Sequence, residues 1–334
     1  MKLRDKIAVV YSHHKLGDLI WQLPYIKAIS EHHNKKITLI TRSKTQGKKI
    51  LIDNDYIKDV HYCEFRKKFW YFIEIFKLFF FFKKNSFSYV YLLDKISRPA
   101  ISATLAKIPN IIGPGIKNQK KWITNKFFLN IKDYEKLNYS EQSKKILEIN
   151  GIAIKSLIPV LNIKDSRLEK IHPKINSKNK IVSFGVDSFE KYKMWYEDQF
   201  TQLADLLVNN KFADIIYLIC SNENSHVAQN IIRMSKNKNF YNCSSLDLLG
   251  VIKVIKKSNF YVGNNSGPLN LASALKVKCF GLIANDKVSE LKNSNIIPIL
   301  PDFYKNEFYR HREGMRRLSV AKVYKTIKNK LINT

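Results

Sequence analysis

Three short segments hold residue types at spacings from which chemistry can be built. The first is His13–Pro24, HHKLGDLIWQLP. It follows the apolar run Lys6–Tyr11 (KIAVVY) and opens an amphipathic stretch, so it reads as strand, loop and helix start. Gly17 permits a tight turn, and Asp18 falls in the first turn of that helix. A carboxylate there complements the helix dipole, and it can also take a proton from a hydroxyl as a general base. Spacing alone leaves both readings open. His13 and His14 are adjacent, so their side chains diverge in extended chain. With no third ligand evident, no metal site is expected.

The second segment, Ser183–Trp195 (SFGVDSFEKYKMW), repeats that grammar. A glycine after the strand, a hydroxyl at Ser188 and a cation at Lys193 make a loop able to grip phosphate; an ordinary polar connection has the same look. The third, Tyr261–Leu275 (YVGNNSGPLNLASAL), is the most specific. Its strand ends at Gly263, small polar residues turn the chain, and Pro268 sits where the first helical position tolerates it. Helix amides near Ser266 and Gly267 then form an anion site suited to a diphosphate. Ala272, Ser273 and Ala274 let the helix pack closely on a sheet. The Gly-x-x-x-Gly-Pro arrangement favours phosphate binding over a merely well-capped helix.

The elements that must position these segments alternate along the whole chain. Strand-like runs at Lys6–Tyr11, Lys36–Thr41, Tyr89–Asp94 and Asn110–Gly113 are interleaved with helical patterns at Asp18–His33, Arg98–Lys107 and Ser140–Asn150. The last of these stops at Gly151, as glycine commonly ends a helix. A polar, Lys-rich stretch over residues 161–179 reads as a linker between domains 1–160 and 180–334. Beyond it the pattern restarts, with strands at Lys180–Gly185, Asp214–Cys220, around Phe260–Val262 and at Val277–Ile283. Helices are expected at Glu197–Asn209, His226–Ser235, Pro268–Leu275 and Val320–Leu331. Such alternation predicts an α/β protein of two Rossmann-like, doubly wound domains facing across a cleft, with ligands at the carboxyl ends of the strands.

Composition bounds the function. A chain of 334 residues that is 45% hydrophobic suits two cores and excludes a collagenous or mostly disordered protein. Four scattered cysteines with no C-x-x-C pair exclude a disulfide scaffold and fit a reducing compartment. Lys and Arg total 58 against 28 Asp and Glu, a formal charge of +30 that draws the chain toward anionic partners. The excess of Lys, Ile and Asn also reads as compositional drift. Nucleic acid ranks last among anionic partners, because the basic residues are dispersed and no recognised module is present. No secretory leader opens the chain and no apolar run spans a bilayer, so a cytoplasmic protein is expected. Phe69–Phe82 (FWYFIEIFKLFFFF) comes nearest, bracketed by Arg66-Lys67-Lys68 and Lys83-Lys84. It reads either as a helix buried inside the first domain or as an interfacial helix that makes the protein peripheral on an anionic membrane face.

Taken together, LGDLIWQLP, the Lys-x-Trp of Lys193–Trp195 and GNNSGPLNLASAL resemble the family-nine glycosyltransferases, the ADP-heptose:lipopolysaccharide heptosyltransferases and their relatives. Weaker likeness appears over Tyr89–Arg98 and in the closing helix, so the resemblance runs in order through nearly the whole chain. It implies a GT-B architecture and an inverting, metal-independent transfer without a cofactor. The sugar passes from a nucleotide-sugar donor of the ADP-heptose type to a lipopolysaccharide-core or other lipid-linked acceptor. Asp18 matches the family's proposed base, Lys193 the cation at the donor phosphates, Ser188 the hydroxyl in that loop, and Ser266 and Gly267 the diphosphate turn. Glu223 is similar to the acidic residue that meets the nucleotide ribose. Asn265 and Asn270 stand where the family has Asp and His. That departure leaves the donor open and motivates an alternative, a degenerate member that binds nucleotide or glycan without turnover.

Overall fold

Strands that are apolar at consecutive positions need cover on both faces, which parallel sheets flanked by helices supply. The computed structural model describes residues 6–66, 68–176, 178–307 and 311–332. It divides into two compact units, Met1–Ile163 and Lys164–Thr334.

In the first unit β1 (Ile7–Val10) and β2 (Ile37–Thr41) are buried at every position. They join β3 (Ile57–Tyr62), β4 (Tyr89–Leu92) and β5 (Asn110–Ile112) in a parallel sheet ordered β3-β2-β1-β4-β5. Ile7 of the central strand stands opposite Ile37 on one side and Tyr89 on the other. The helices are α1 (Leu16–His33), α2 (Gly47–Leu51), α3 (Trp70–Asn85), α4 (Arg98–Leu105), α5 (Ile131–Lys136) and α6 (Tyr139–Ile149). A reciprocal cap between Asn138 and Glu141 starts α6. Buried Gln22 of α1 accepts from Ser143 Oγ at 2.6 Å, which ties α6 to α1.

The second unit begins with α7 (Asp165–Glu169) and continues through β6 (Ile181–Gly185), α8 (Glu197–Asn209), β7 (Ile215–Ile219), α9 (Ser225–Met234), β8 (Phe240–Asn242) and α10 (Leu248–Lys257). It then forms β9 (Phe260–Asn264), α11 (Gly267–Ala274), β10 (Cys279–Leu282), β11 (Ile296–Ile299), α12 (Glu313–Arg316) and α13 (Val320–Ile332). Its sheet is parallel throughout, in the order β11-β10-β9-β6-β7-β8. Trp195, wholly buried, donates its indole N–H to the Leu318 carbonyl at 2.9 Å and so anchors the approach to α13.

Both sheets have a switch point where strand order reverses, between β1 and β4 and between β6 and β9. At the second, Gly185 and Gly263 are register partners. A methyl on Gly263 would lie 2.8 Å from the backbone of Gly185, so only glycine lets the two strand ends approach this closely.

At two stretches the structure adds to the reading of the sequence. In the stretch 161–179, read as a linker, Leu161, Ile163 and Leu168 are buried and α7 is formed. Lys253 of α10 donates to the carbonyls of Glu169 and Ile171, at 3.2 and 2.6 Å. The apolar stretch Phe69–Phe82 is helical, as expected, but it is not buried inside the unit. α3 buries Glu74, Ile75, Leu78 and Phe82 and leaves Phe69, Phe72, Phe76 and Phe80 between 59% and 73% exposed. A helix with one apolar face too many for its own core shows that face outward. Lys67, among its flanking cations, lies outside the described residues.

Candidate active site

In the second unit the loops after β6, β7, β9 and β10 lie at one end of the sheet, and the residues singled out from the sequence sit on them. Ser188 is buried in the loop after β6. Lys193 ends a short 3₁₀ turn (Lys191–Lys193), two residues before Trp195. The Trp195 amide donates to Asn264 Oδ1 at 2.8 Å, so the Lys-x-Trp segment is tied to the end of β9. Lys193 Nζ lies 2.9 Å from Asp286 Oδ1 and 3.2 Å from Glu190 Oε2. Burial opposes the charge on Lys193, but the charge and hydrogen bond of Asp286, then Glu190, outweigh it and hold the ammonium above the ordinary lysine pKa. Asn265 Nδ2 donates to Asp286 Oδ2 at 3.0 Å.

α11 opens without a side-chain cap. Ser266 stands at its N-cap in extended conformation, and its enclosed hydroxyl has no hydrogen-bond partner. Asn270 Oδ1, one turn on, is likewise enclosed and unpartnered. A methyl built on Gly267 would meet nothing within 4 Å, so open space adjoins the first turn of the helix. The amides of Leu269 and Asn270 already donate to the Ser266 carbonyl, at 3.1 and 3.3 Å, so the helix opening at Gly267, two unpartnered polar atoms and a cation make the arrangement that suits an oxyanion. Glu223 is exposed in a short turn (Asn222–Asn224) after β7. That turn is held by Asp187, which accepts from Ser221 N and Oγ at 2.8 and 2.9 Å. Reading of the motifs missed Asp187, Asp286 and Asn285. Only Asp187 falls within a recognisable motif. Asp286 follows β10, where no local pattern distinguishes it from any loop carboxylate.

In the first unit Asp18 occupies the first turn of α1, half-buried. Its charge acts on Tyr11 and His13. His13 packs between the rings of Tyr11 and Tyr139, with centroids 5.1 and 3.9 Å away. Burial pushes its pKa below the ordinary histidine value, against the opposing pull of Asp94 and Asp18. Asp94, after β4, is buried and accepts from the amides of Ser12 and Ile96 at 2.7 and 3.0 Å. Arg42 Nε donates to the Ser12 carbonyl, so the loop after β1 is pinned from two neighbouring strands. An open pocket of about 470 Å³ lies here, walled by His13, Arg42, Asp94, Arg98 and Tyr139 among others; Asp18 is not one of its walls. Arg98 is itself buried and ion-paired with Glu74 of α3.

Two parallel doubly wound units, each with polar loops at its switch point, are the GT-B glycosyltransferase fold. The chain belongs to glycosyltransferase family 9 (heptosyltransferase), whose family model matches residues 75–296. Three solved structures share the fold over nearly their full length. A glycosyl transferase family 9 protein from Veillonella parvula is 15% identical with a TM-score of 0.81, over 100% of this chain and 99% of that one. ADP-heptose lps heptosyltransferase II of E. coli is also 15% identical, with a TM-score of 0.77 over 98% and 99%. E. coli heptosyltransferase WaaC, solved with ADP-2-deoxy-2-fluoro heptose, is 14% identical with a TM-score of 0.71 over 97% and 99%. No curated protein matches the chain in sequence.

Proposed function

We propose that this chain is an inverting glycosyltransferase that moves heptose or a related sugar from a nucleoside-diphosphate donor to a lipid-linked glycan acceptor. One observation carries the reading: Lys193, the uncapped start of α11 and the unpartnered Ser266 hydroxyl together at the second unit's switch point. In this reading Ser188, Lys193, Asn265, Ser266, Gly267 and Asn270 hold the donor, and Glu223 meets its ribose. Asp18, on the first unit, is the base. It takes the proton of the acceptor hydroxyl as the oxygen attacks the anomeric carbon. The bond from that carbon to the diphosphate breaks, and its electron pair leaves with the nucleoside diphosphate. The charge that develops is met by the Lys193 ammonium and helix amides, which is why the transfer is proposed to need no metal.

The lipid-linked acceptor places the reaction at a membrane face, and the outward side of α3 is the surface proposed to rest there. No helix among the described residues is long and apolar enough to cross a membrane.

The test is a thermal-shift and transfer assay with ADP-, UDP- and GDP-linked sugars. A donor should raise the melting temperature and be turned over on a lipid-linked core glycan. Stabilisation without turnover on any such acceptor would favour the non-catalytic binder, and no stabilisation by any nucleotide would remove the donor reading.

A further inference from the structure

The carboxylate of Asp286 belongs to none of the three motifs, yet it joins two of them. Its side chain is only 3% exposed, lies 2.9 Å from Lys193 Nζ through Oδ1, and accepts from Asn265 Nδ2 through Oδ2 at 3.0 Å. One group thereby links the loop after β6 to the loop after β9, the two that flank the switch point. The loop that carries it is held in turn by buried Asn285, whose Nδ2 donates to the Tyr192 and His311 carbonyls at 2.5 and 2.8 Å.

We infer that Asp286 is a positioning residue that sets donor specificity: it turns the Asn265 carboxamide so that oxygen, not nitrogen, is left for a sugar hydroxyl, and it tempers the pull of Lys193 on the diphosphate. The inference rests on the reading of this site as a nucleotide-sugar site. A neutral carboxamide can offer either a donor or an acceptor edge. A carboxylate accepts only, so its neighbour must present N–H to it, and the Asn265 oxygen is what remains. Lys193 is shared between Asp286 and Glu190, so a bound diphosphate competes for a cation already partly neutralised. Both effects shift recognition away from the diphosphate and toward the sugar.

The opposite signs of these two effects make the inference testable. In Asp286→Asn the side-chain oxygen stays with Lys193, the new N–H₂ faces residue 265, and Asn265 must flip to offer it an oxygen. The sugar then meets a donor where it met an acceptor, while Lys193 faces one charge fewer. The exchange Asn265→Asp/Asp286→Asn restores a carboxylate and its outward oxygen, with the partners reversed.

Calorimetric titration of these variants with ADP, UDP and GDP, and with ADP-heptose, UDP-glucose and GDP-mannose, reads the ratio of sugar-nucleotide to nucleoside-diphosphate affinity. Asp286→Asn should hold or tighten the nucleoside diphosphate while that ratio falls about fivefold, the scale of one neutral hydrogen bond. The double exchange should bring the ratio back. An unchanged ratio in Asp286→Asn, equal losses for both ligands, or no recovery in the double exchange would each overturn the inference. Should Asp286→Asn not fold, Asp286→Ala carries the test: it frees the Asn265 carboxamide to present either edge and leaves Lys193 to Glu190, so the ratio should fall in the same direction, and an unchanged ratio would overturn the inference. A wild-type protein that binds none of the six ligands would instead remove the donor reading before any substitution, and this inference with it.

Discussion

Asp18 has two physical reasons to stand where it does, and substitution separates them. If it only complements the dipole of α1, Asp18→Asn costs a few tenths to about 1 kcal/mol of stability and nothing else. As the base, the same change lowers turnover about 10²–10⁴-fold while donor affinity and melting temperature barely move. Steady-state kinetics beside a melting curve give the answer, and normal turnover would take Asp18 out of the reaction. Gly267 offers a complementary case. Space surrounds it and its backbone is not left-handed, so nothing in the fold requires glycine there. Gly267→Ala should therefore fold at least as stably, yet weaken donor binding, because the added methyl enters the space a diphosphate is proposed to fill; unaltered donor affinity would move the diphosphate elsewhere. His13 yields a pH effect of definite sign. Its folded pKa is held below the ordinary 6.5, so its stabilising contribution is present above that value and is lost as pH falls through the folded pKa. Urea midpoints should drop from about pH 7 to about pH 5, and His13→Gln should reduce the drop.

α3 is where an element's two sides have different work. Its inner side carries Glu74, which pairs with buried Arg98 of α4 and accepts from the Arg66 amide through both oxygens, at 3.1 and 3.0 Å. Arg98 also donates to the Arg66 carbonyl at 2.6 Å and lies over the Tyr71 ring, 4.6 Å from its centroid. Removing one partner leaves an uncompensated charge in the interior. Glu74→Ala should thus cost about 3–5 kcal/mol in urea unfolding, whereas Glu74→Leu combined with Arg98→Met should recover much of the loss. A cost no greater than that of a surface substitution would mean that water reaches the pair. The outer side of the same helix contributes nothing to this core: Phe72, Phe76 and Phe80 follow one another every fourth residue and stay exposed.

At the scale of the whole molecule, the charge of +30 decides what that outer side can meet. The only carboxylate of α3 is turned inward, so its exposed aromatic stripe is rimmed by Lys77, Lys83 and Lys84 and by no anion of its own. Two copies of such a face repel each other, while an anionic lipid face satisfies both the cations and the rings, at about 1 kcal/mol per basic residue near the surface. The protein should therefore sediment with vesicles rich in phosphatidylglycerol at low salt. It should release as salt rises, because screening reaches inside about 10 Å by 0.1 M. Phe72→Ser/Phe76→Ser/Phe80→Ser should abolish binding without lowering stability. Failure of the wild type to bind at low salt, or full binding by the triple variant, would remove this face from any membrane contact.

Much of the architecture is legible in the chain because local physics dictates it. Apolar runs of strand length alternating with amphipathic stretches imply parallel sheets, and a loop before a helix marks where each sheet meets its ligand. That reasoning puts Lys193, Ser266 and Gly267 at strand-to-helix turns, where the structure has them, since glycine, proline and small polar residues mark such turns wherever they occur. It passes over β3, β8 and β11, whose edge positions or three-residue length leave no clear alternation; β11 even carries Pro298. It reads the polar stretch 161–179 as a linker and gives no sign of α7, because composition does not reveal that Lys253 would fold onto it. What only the tertiary structure decides is partnership. Whether the apolar helix at 70–85 lies inside or outside depends on how much sheet is left to cover, and its one carboxylate is buried because Arg98 comes to meet it. Asp286 is 93 residues from Lys193 and 21 from Asn265 in the chain, yet within 3.0 Å of both in space. Sequence periodicity reports what each residue does for its own helix or strand; a carboxylate in a loop answers only to the charges that the fold brings beside it.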